Sequence, residues 1–224
     1  MAFILCIETA TPVCSVALFE NNTLLSLYEI KDGNTHASAL TGLIKQCMDE
    51  AKISFSQLDA IAVSKGPGSY TGLRVGIATA KGLCYTSKKP LIAIGTLKSL
   101  ANIFMLENPG YTGLICPMID ARRMEVYTAL YNHELKELSP VEAKIIDSSS
   151  YAEELAHSRI AFLGSGSEKC SETITSENAL FTYAICSSKG MGILAHEKFM
   201  AKEFQDLAYF EPDYLKEFVG KKGD

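Results

Sequence analysis

Laid over itself at an offset of 112 residues, the chain repeats: Ile7-Glu8 meets Ile119-Asp120, and Ala17-Leu18-Phe19 meets Ala129-Leu130-Tyr131. Each half runs through the same order of elements: an apolar run closed by an acid, a turn, an alternating strand, a third strand, a helix, a further strand and a glycine loop. A period of half the chain is far too long for a solenoid. It predicts two lobes of one topology, each an α/β unit with a mixed sheet and flanking helices. The breaker Asn108-Pro109-Gly110 divides them into residues 1–108 and 109–224.

Continuous apolar runs at 3–7 and 90–95 read as strands buried on both faces, and 13–19, 23–30 and 58–66 complete the first sheet. The second takes 113–120, 124–131, 141–146 and 159–164, with Arg122-Arg123 as a tight turn. Residues 32–35 (Asp-Gly-Asn-Thr) supply turn and N-cap chemistry ahead of a helix at 36–51. There Leu40, Leu43, Ile44, Cys47, Met48 and Ala51 form one apolar stripe. Further helices are expected at 72–86, 96–107 and 187–205, the last packing back on the first lobe. The tail around Pro212 is expected to lie extended on the surface.

Composition excludes several classes. With 47% hydrophobic residues the chain is not intrinsically disordered. A net charge of −5 argues against broad electrostatic binding of nucleic acid by this chain alone. No apolar run approaches the ~18 residues that would span a bilayer, and the start lacks the basic and apolar regions of a signal peptide. Seven scattered cysteines without a C-x-x-C read as reduced, buried thiols, so a cytoplasmic setting is expected.

The richest segment is 64–76, Ser-Lys-Gly-Pro-Gly-Ser-Tyr-Thr-Gly-Leu-Arg-Val-Gly. It leaves a strand and opens a helix, where free N–H groups can hold an anion. It is neither a Walker loop nor the dinucleotide fingerprint, and a tight turn with a helix cap explains it equally well. Glu8, Gly66 and Gly68 are therefore weak candidates for a phosphate or cofactor site, and Asp120 is the counterpart of Glu8. A strand-end carboxylate that accepts backbone hydrogen bonds is the simpler reading of both. Gly72, Gly76 and Ala80 form a ridge of small residues on the second helix. Glycine weakens a helix by about 1 kcal/mol relative to alanine, so the ridge implies close approach of another backbone, the chain's own or a partner's. His36, His133, His157 and His196 form no H-x-x-x-H pair, and no G-x-S-x-G elbow occurs.

The segments at 7–11 (IETAT), 64–83 and 117–131 resemble the bacterial TsaB (YeaZ) family. The resemblance implies the actin-like, Hsp70-type ATPase (ASKHA) fold of two duplicated lobes. It implies a non-catalytic subunit of the machinery that places threonylcarbamoyl on N6 of adenosine 37 in tRNAs reading ANN codons. The catalytic relative, TsaD, holds a metal with two histidines and an aspartate. By resemblance those positions are Thr96, Leu100 and Ser188 here, and an acidic pair becomes Pro12 and Val13. None of these supplies the carboxylate, imidazole or thiolate that a metal needs, so no metal or cofactor is expected.

The family pairs with TsaD through its first two helices, which match 36–51 and 72–86. The interface residues implied are Leu40, Leu43, Cys47, Gly72, Gly76 and Ala80, and Gly76→Leu is expected to break the pairing and leave the monomer folded. The resemblance further implies a homodimer through the same face when the partner is absent, a small ATPase subunit (TsaE-type) in the complex, and tRNA contact only through the complex. The competing reading is an actin-like phosphotransferase or ATPase that binds nucleotide between the lobes.

Overall fold

The computed structural model describes residues 1–31 and 36–216; the expected turn at 32–35 lies outside the described residues. The first sheet contains β1 (Phe3–Glu8), β2 (Cys14–Glu20), β3 (Thr23–Ile30), β4 (Ala60–Gly66) and β5 (Leu91–Gly95) in the order β3-β2-β1-β4-β5. The second contains β6 (Leu114–Asp120), β7 (Glu125–Thr128), β8 (Glu142–Ile145), β9 (Ile160–Leu163) and β10 (Ala179–Thr182) in the order β8-β7-β6-β9-β10. The two orders are identical element for element. In each, the first three strands are antiparallel and the last two run parallel to the first. This is the duplicated arrangement of two mixed sheets that the 112-residue repeat predicts.

The apolar runs of the first sheet bury both faces, as parallel strands covered on two sides must. Leu5, Ile7, Val16, Leu18, Ile61 and Val63 face α1 (His36–Ala51) and α2 (Tyr70–Ser87). The alternate residues Ile4, Cys6, Ala17, Phe19, Ala62 and Ile92 face α6 (Gly192–Met200) through Met191, Leu194 and Ala195. In the second sheet, Ile115, Ile119, Ala161 and Leu163 pack against α3 (Thr96–Glu107). Cys116, Met118, Val126 and Phe162 pack against α4 (Ala152–His157) and α5 (Ser167–Cys170) through Leu155 and Cys170. So α3, from the first half of the chain, roofs the second sheet, while α6, from the second half, roofs the first.

The last helix is shorter than expected. Residues 188–190 form a 3-10 turn in which the Ser187 hydroxyl accepts the Lys189 amide at 3.1 Å, a local bond that competes with helix continuation. At the other end Lys202 turns left-handed at φ 56°, and Glu203 N–H closes on the Lys198 carbonyl. Helix α2 begins earlier than its apolar pattern, because Ser69 caps it by accepting Gly72 N–H at 3.2 Å.

Candidate functional site

A cleft of about 650 Å³ opens where the C-terminal ends of β1 and β4 face the β6–β7 turn. Its lining includes Thr11 and Pro12 after β1, Gly68–Thr71 at the start of α2, Asp120 and Arg122 at the β6–β7 turn, Ser165 after β9, and Tyr214 and Lys216 of the tail. Asp120, the end of β6, is half-exposed and salt-bridged to Lys169, whose Nζ also donates to the Arg123 and Glu125 carbonyls. Its counterpart Glu8 does not line the cleft. Glu8 is wholly buried: Oε1 accepts the Ala10 amide at 2.7 Å, and Oε2 has no hydrogen-bond partner among the described residues. Burial pushes the carboxyl up to about 7, with the Ala10 hydrogen bond opposing. A carboxylate meant to handle magnesium and phosphate would instead be open to the cleft and ionised.

The glycine segment is shaped by the chain's own loop. A Cβ on Gly68 would lie 2.3 Å from the Ala10 carbonyl oxygen, one on Gly72 2.1 Å from that of Thr9, and one on Gly76 2.1 Å from Thr9 Oγ1. Thr9 Oγ1 donates to the Gly72 carbonyl at 2.8 Å, and Ser69 N–H donates to the Ala10 carbonyl at 2.6 Å. Gly66, at φ +116°, faces the Asp213 carbonyl. Of the weak candidates Glu8, Gly66 and Gly68, only Gly68 lines the cleft. The positions that resemblance gives to metal ligands hold other contacts. Ser188 Oγ lies 2.7 Å from Ser15 Oγ, and Ser188 N–H donates to the same hydroxyl. Leu100 is fully buried in the apolar cluster around α3, and Thr96, four residues before it, is buried with no hydroxyl partner among the described residues. Among the described residues no group of His, Cys, Asp and Glu is arranged to hold a metal ion.

The residues expected at a partner interface lie inside the single chain. Leu40, Leu43 and Cys47 on α1, and Gly72, Gly76 and Ala80 on α2, all point into the protein. The leucines, Cys47 and Ala80 belong to the core against the first sheet, and the two glycines lie on the Thr9 loop. The stripe of an amphipathic helix must cover its own sheet before it can serve anything else. Gly76→Leu would therefore strike Thr9 inside the monomer. The same two helices turn other residues outward: Ala37, Thr41, Gly42 and Lys45 on α1, and Thr71, Ala78, Gly82 and Tyr85 on α2. Tyr85 is 80% exposed, and nothing lies within 4 Å of a Cβ placed on Gly42 or Gly82. These two glycines weaken their helices without serving any contact among the described residues. Burial separates these two glycines from the ridge that the sequence singled out.

Comparison with known proteins adds the following. Residues 31–220 match the family model described as "TsaD: tRNA N6-adenosine threonylcarbamoyltransferase". The chain is 33% identical over 131 residues to the tRNA threonylcarbamoyladenosine biosynthesis protein TsaB of Bacillus subtilis (strain 168), covering 58% of this chain and 56% of that protein. It is 35% identical over 131 residues to the TsaB of Escherichia coli (strain K12), covering 58% and 55%. The alignments thus span about half the length of these curated relatives. Two Pseudomonas aeruginosa structures share the fold over 96% of this chain and all of theirs. One, described as an uncharacterized protein with similarity to peptidase YeaZ, has a TM-score of 0.84 at 25% identity. The other, YeaZ, has a TM-score of 0.83 at 24% identity.

Proposed function

The chain belongs to the TsaD family, and from that membership we propose that it serves in the biosynthesis of threonylcarbamoyladenosine in tRNA as a TsaB-type subunit. It stabilises and activates a TsaD-type catalytic partner and does not carry out the transfer itself. The observation that carries this reading is the replacement of ligand chemistry at the three positions that the resemblance gives to the partner's metal site. Thr96, Leu100 and Ser188 supply no imidazole or carboxylate, and Ser188 is committed to Ser15. The sealing of Glu8 argues in the same direction, against the phosphotransferase reading.

Partner contact falls on the outward faces of α1 and α2. Gly42 and Gly82 let a second pair of helices approach closely, and Tyr85 offers an exposed aromatic anchor of the type that dominates interface energetics. The same face supports a homodimer when the partner is absent, since a two-fold contact needs only one self-complementary patch. A TsaE-type ATPase joins the assembled complex, and tRNA is reached through the complex. No described helix is long and apolar enough to cross a membrane, and the tRNA-modifying role puts the protein in the cytoplasm.

The test is reconstitution with the TsaD-type subunit of the same cell. Threonylcarbamoyl transfer is expected only when both chains are present, with the isolated chain neither hydrolysing ATP nor transferring. Gly82→Arg and Tyr85→Ala should each lower association at least tenfold by calorimetry and leave the melting of the isolated chain intact. Transfer or ATP turnover by the chain alone overturns the subunit reading. Unchanged association in both variants overturns the assignment of the face.

A further inference from the structure

After α6 the chain leaves the inner layer and travels round the edge of the first sheet. Gln205 N–H donates to the Leu91 carbonyl on the edge strand β5 at 2.9 Å. Leu207 and Phe210 then pack on the apolar cluster beneath α1 and α2, and Lys81 of α2 donates to the Phe210 carbonyl at 3.1 Å. Asp213 is held twice at the end of β4, by its N–H on the Lys65 carbonyl at 2.7 Å and by its carboxylate on Lys65 Nζ at 2.6 Å. Tyr214 stacks on Tyr70 with ring centroids 4.5 Å apart, and its hydroxyl accepts Arg74 Nε–H at 3.0 Å. Two residues on, Lys216 forms an ion pair with Glu125 and lies 5.8 Å from the Tyr127 ring, both on β7 of the second sheet. The segment therefore starts on the outer edge of one lobe, grips the glycine loop and α2, and ends on the other lobe at the mouth of the cleft.

We propose that residues 205–216 are a strap that holds the interlobe cleft closed. The inner helices α3 and α6, each crossing to the opposite sheet, join the lobes at the back. The strap joins them at the front, where Tyr214 and Lys216 line the same cleft as Thr71 and Arg122. Its first part is fixed by the partly buried Leu207 and Phe210 and by backbone hydrogen bonds. Its link to the second lobe is the partly exposed Lys216–Glu125 ion pair beside the Tyr127 ring, which is weak and reversible in water. The strap is thus anchored on the first lobe and releasable from the second, the design of a clasp. Because Tyr70 and Arg74 sit at the start of α2, release of Tyr214 frees that end of the helix as well.

The clasp is tested in the full chain with spin labels at Gln46→Cys on α1 and Glu153→Cys on α4, both exposed positions on the outer layers of the two lobes. All seven native thiols are buried, so the introduced pair is labelled selectively. With the native strap, pulsed dipolar spectroscopy should give one narrow distance distribution. Lys216→Glu combined with Tyr214→Ala should broaden it, shift it to longer distance and speed hydrogen exchange across residues 65–74. Lys216→Glu alone should do the same to a smaller extent, and Glu125→Lys added to it should restore the narrow distribution by reversing the pair. An unaltered distribution in the double variant, with cooperative melting retained, overturns the proposal. So does failure of the charge reversal to restore what Lys216→Glu removes.

Discussion

The same substitution at two positions of α2 should change stability in opposite directions. At Gly76 an added methyl would lie 2.1 Å from Thr9 Oγ1 and 3.3 Å from Thr9 Cβ. The threonine is fully buried, and its hydroxyl is held by the Gly72 carbonyl at 2.8 Å. Either the hydroxyl swings away and a buried hydrogen bond is lost, at about 1–3 kcal/mol, or α2 lifts off the loop, at about 1–3 kcal/mol of overpacking strain. Alanine returns about 1 kcal/mol of helix propensity over glycine. Gly76→Ala should therefore destabilise by up to about 2 kcal/mol, a fall in Tm of up to about 8 °C for a chain of this size. At Gly82 the methyl meets nothing within 4 Å. Only the propensity term remains there, and Gly82→Ala should raise Tm by about 2–4 °C. Circular-dichroism melts of the two variants, with urea midpoints at equal slope, provide the readout. A Gly76→Ala protein that melts above the wild type would refute the close approach of α2 to the Thr9 loop.

Glu8 predicts a pH dependence. Burial pushes its carboxyl up to about 7 in the folded state, against an ordinary glutamate value of about 4.3 when unfolded. Between those values the folded state holds the proton that the unfolded state has released, so stability falls as pH rises and levels off above 7, by about 4 kcal/mol in all. Glu8→Gln should remove that slope, measurable as the change in urea midpoint between pH 5 and 8, and an unchanged slope would assign it to other groups. The thiols give a second check. Burial pushes Cys14 and Cys116 up to about 11 and Cys84 up to about 12. A thiol-specific chromophoric reagent should therefore find no fast-reacting group in the folded protein and all seven in denaturant, and a rapid folded-state reaction would contradict the buried placement.

Much of the fold was legible from the sequence. The apolar runs from Phe3 to Ile94 mark strands because both faces of the first sheet are covered, so burial and sequence hydrophobicity coincide there. The second sheet was harder to read. Its edge strand β10 (Ala179–Thr182) is short and half-exposed, so it carries little apolar signal, and the single turn of α5 carries less. The site was legible in composition but not in direction. Small residues on α2 announce close approach, yet the sequence cannot say that Gly76 meets Thr9 while Gly82 meets nothing, since this depends on a loop more than sixty residues away. The contacts of Tyr214 and Lys216 were invisible for the same reason: their partners Arg74 and Glu125 are 140 and 91 residues distant.

The exchange of α3 and α6 between the sheets has a consequence for how the halves depend on one another. Phe19 on β2 lies directly under Gly192, where even one methyl would come within 2.2 Å of the ring, so the interior of the first half is completed by residues from the second. A polypeptide severed near Pro109 would yield two fragments, each missing a wall of its own interior and each carrying the other's missing piece. Although the repeat looks like two autonomous modules joined end to end, duplication and mutual insertion have made them obligate complements, and neither would reach its native state until it met the other.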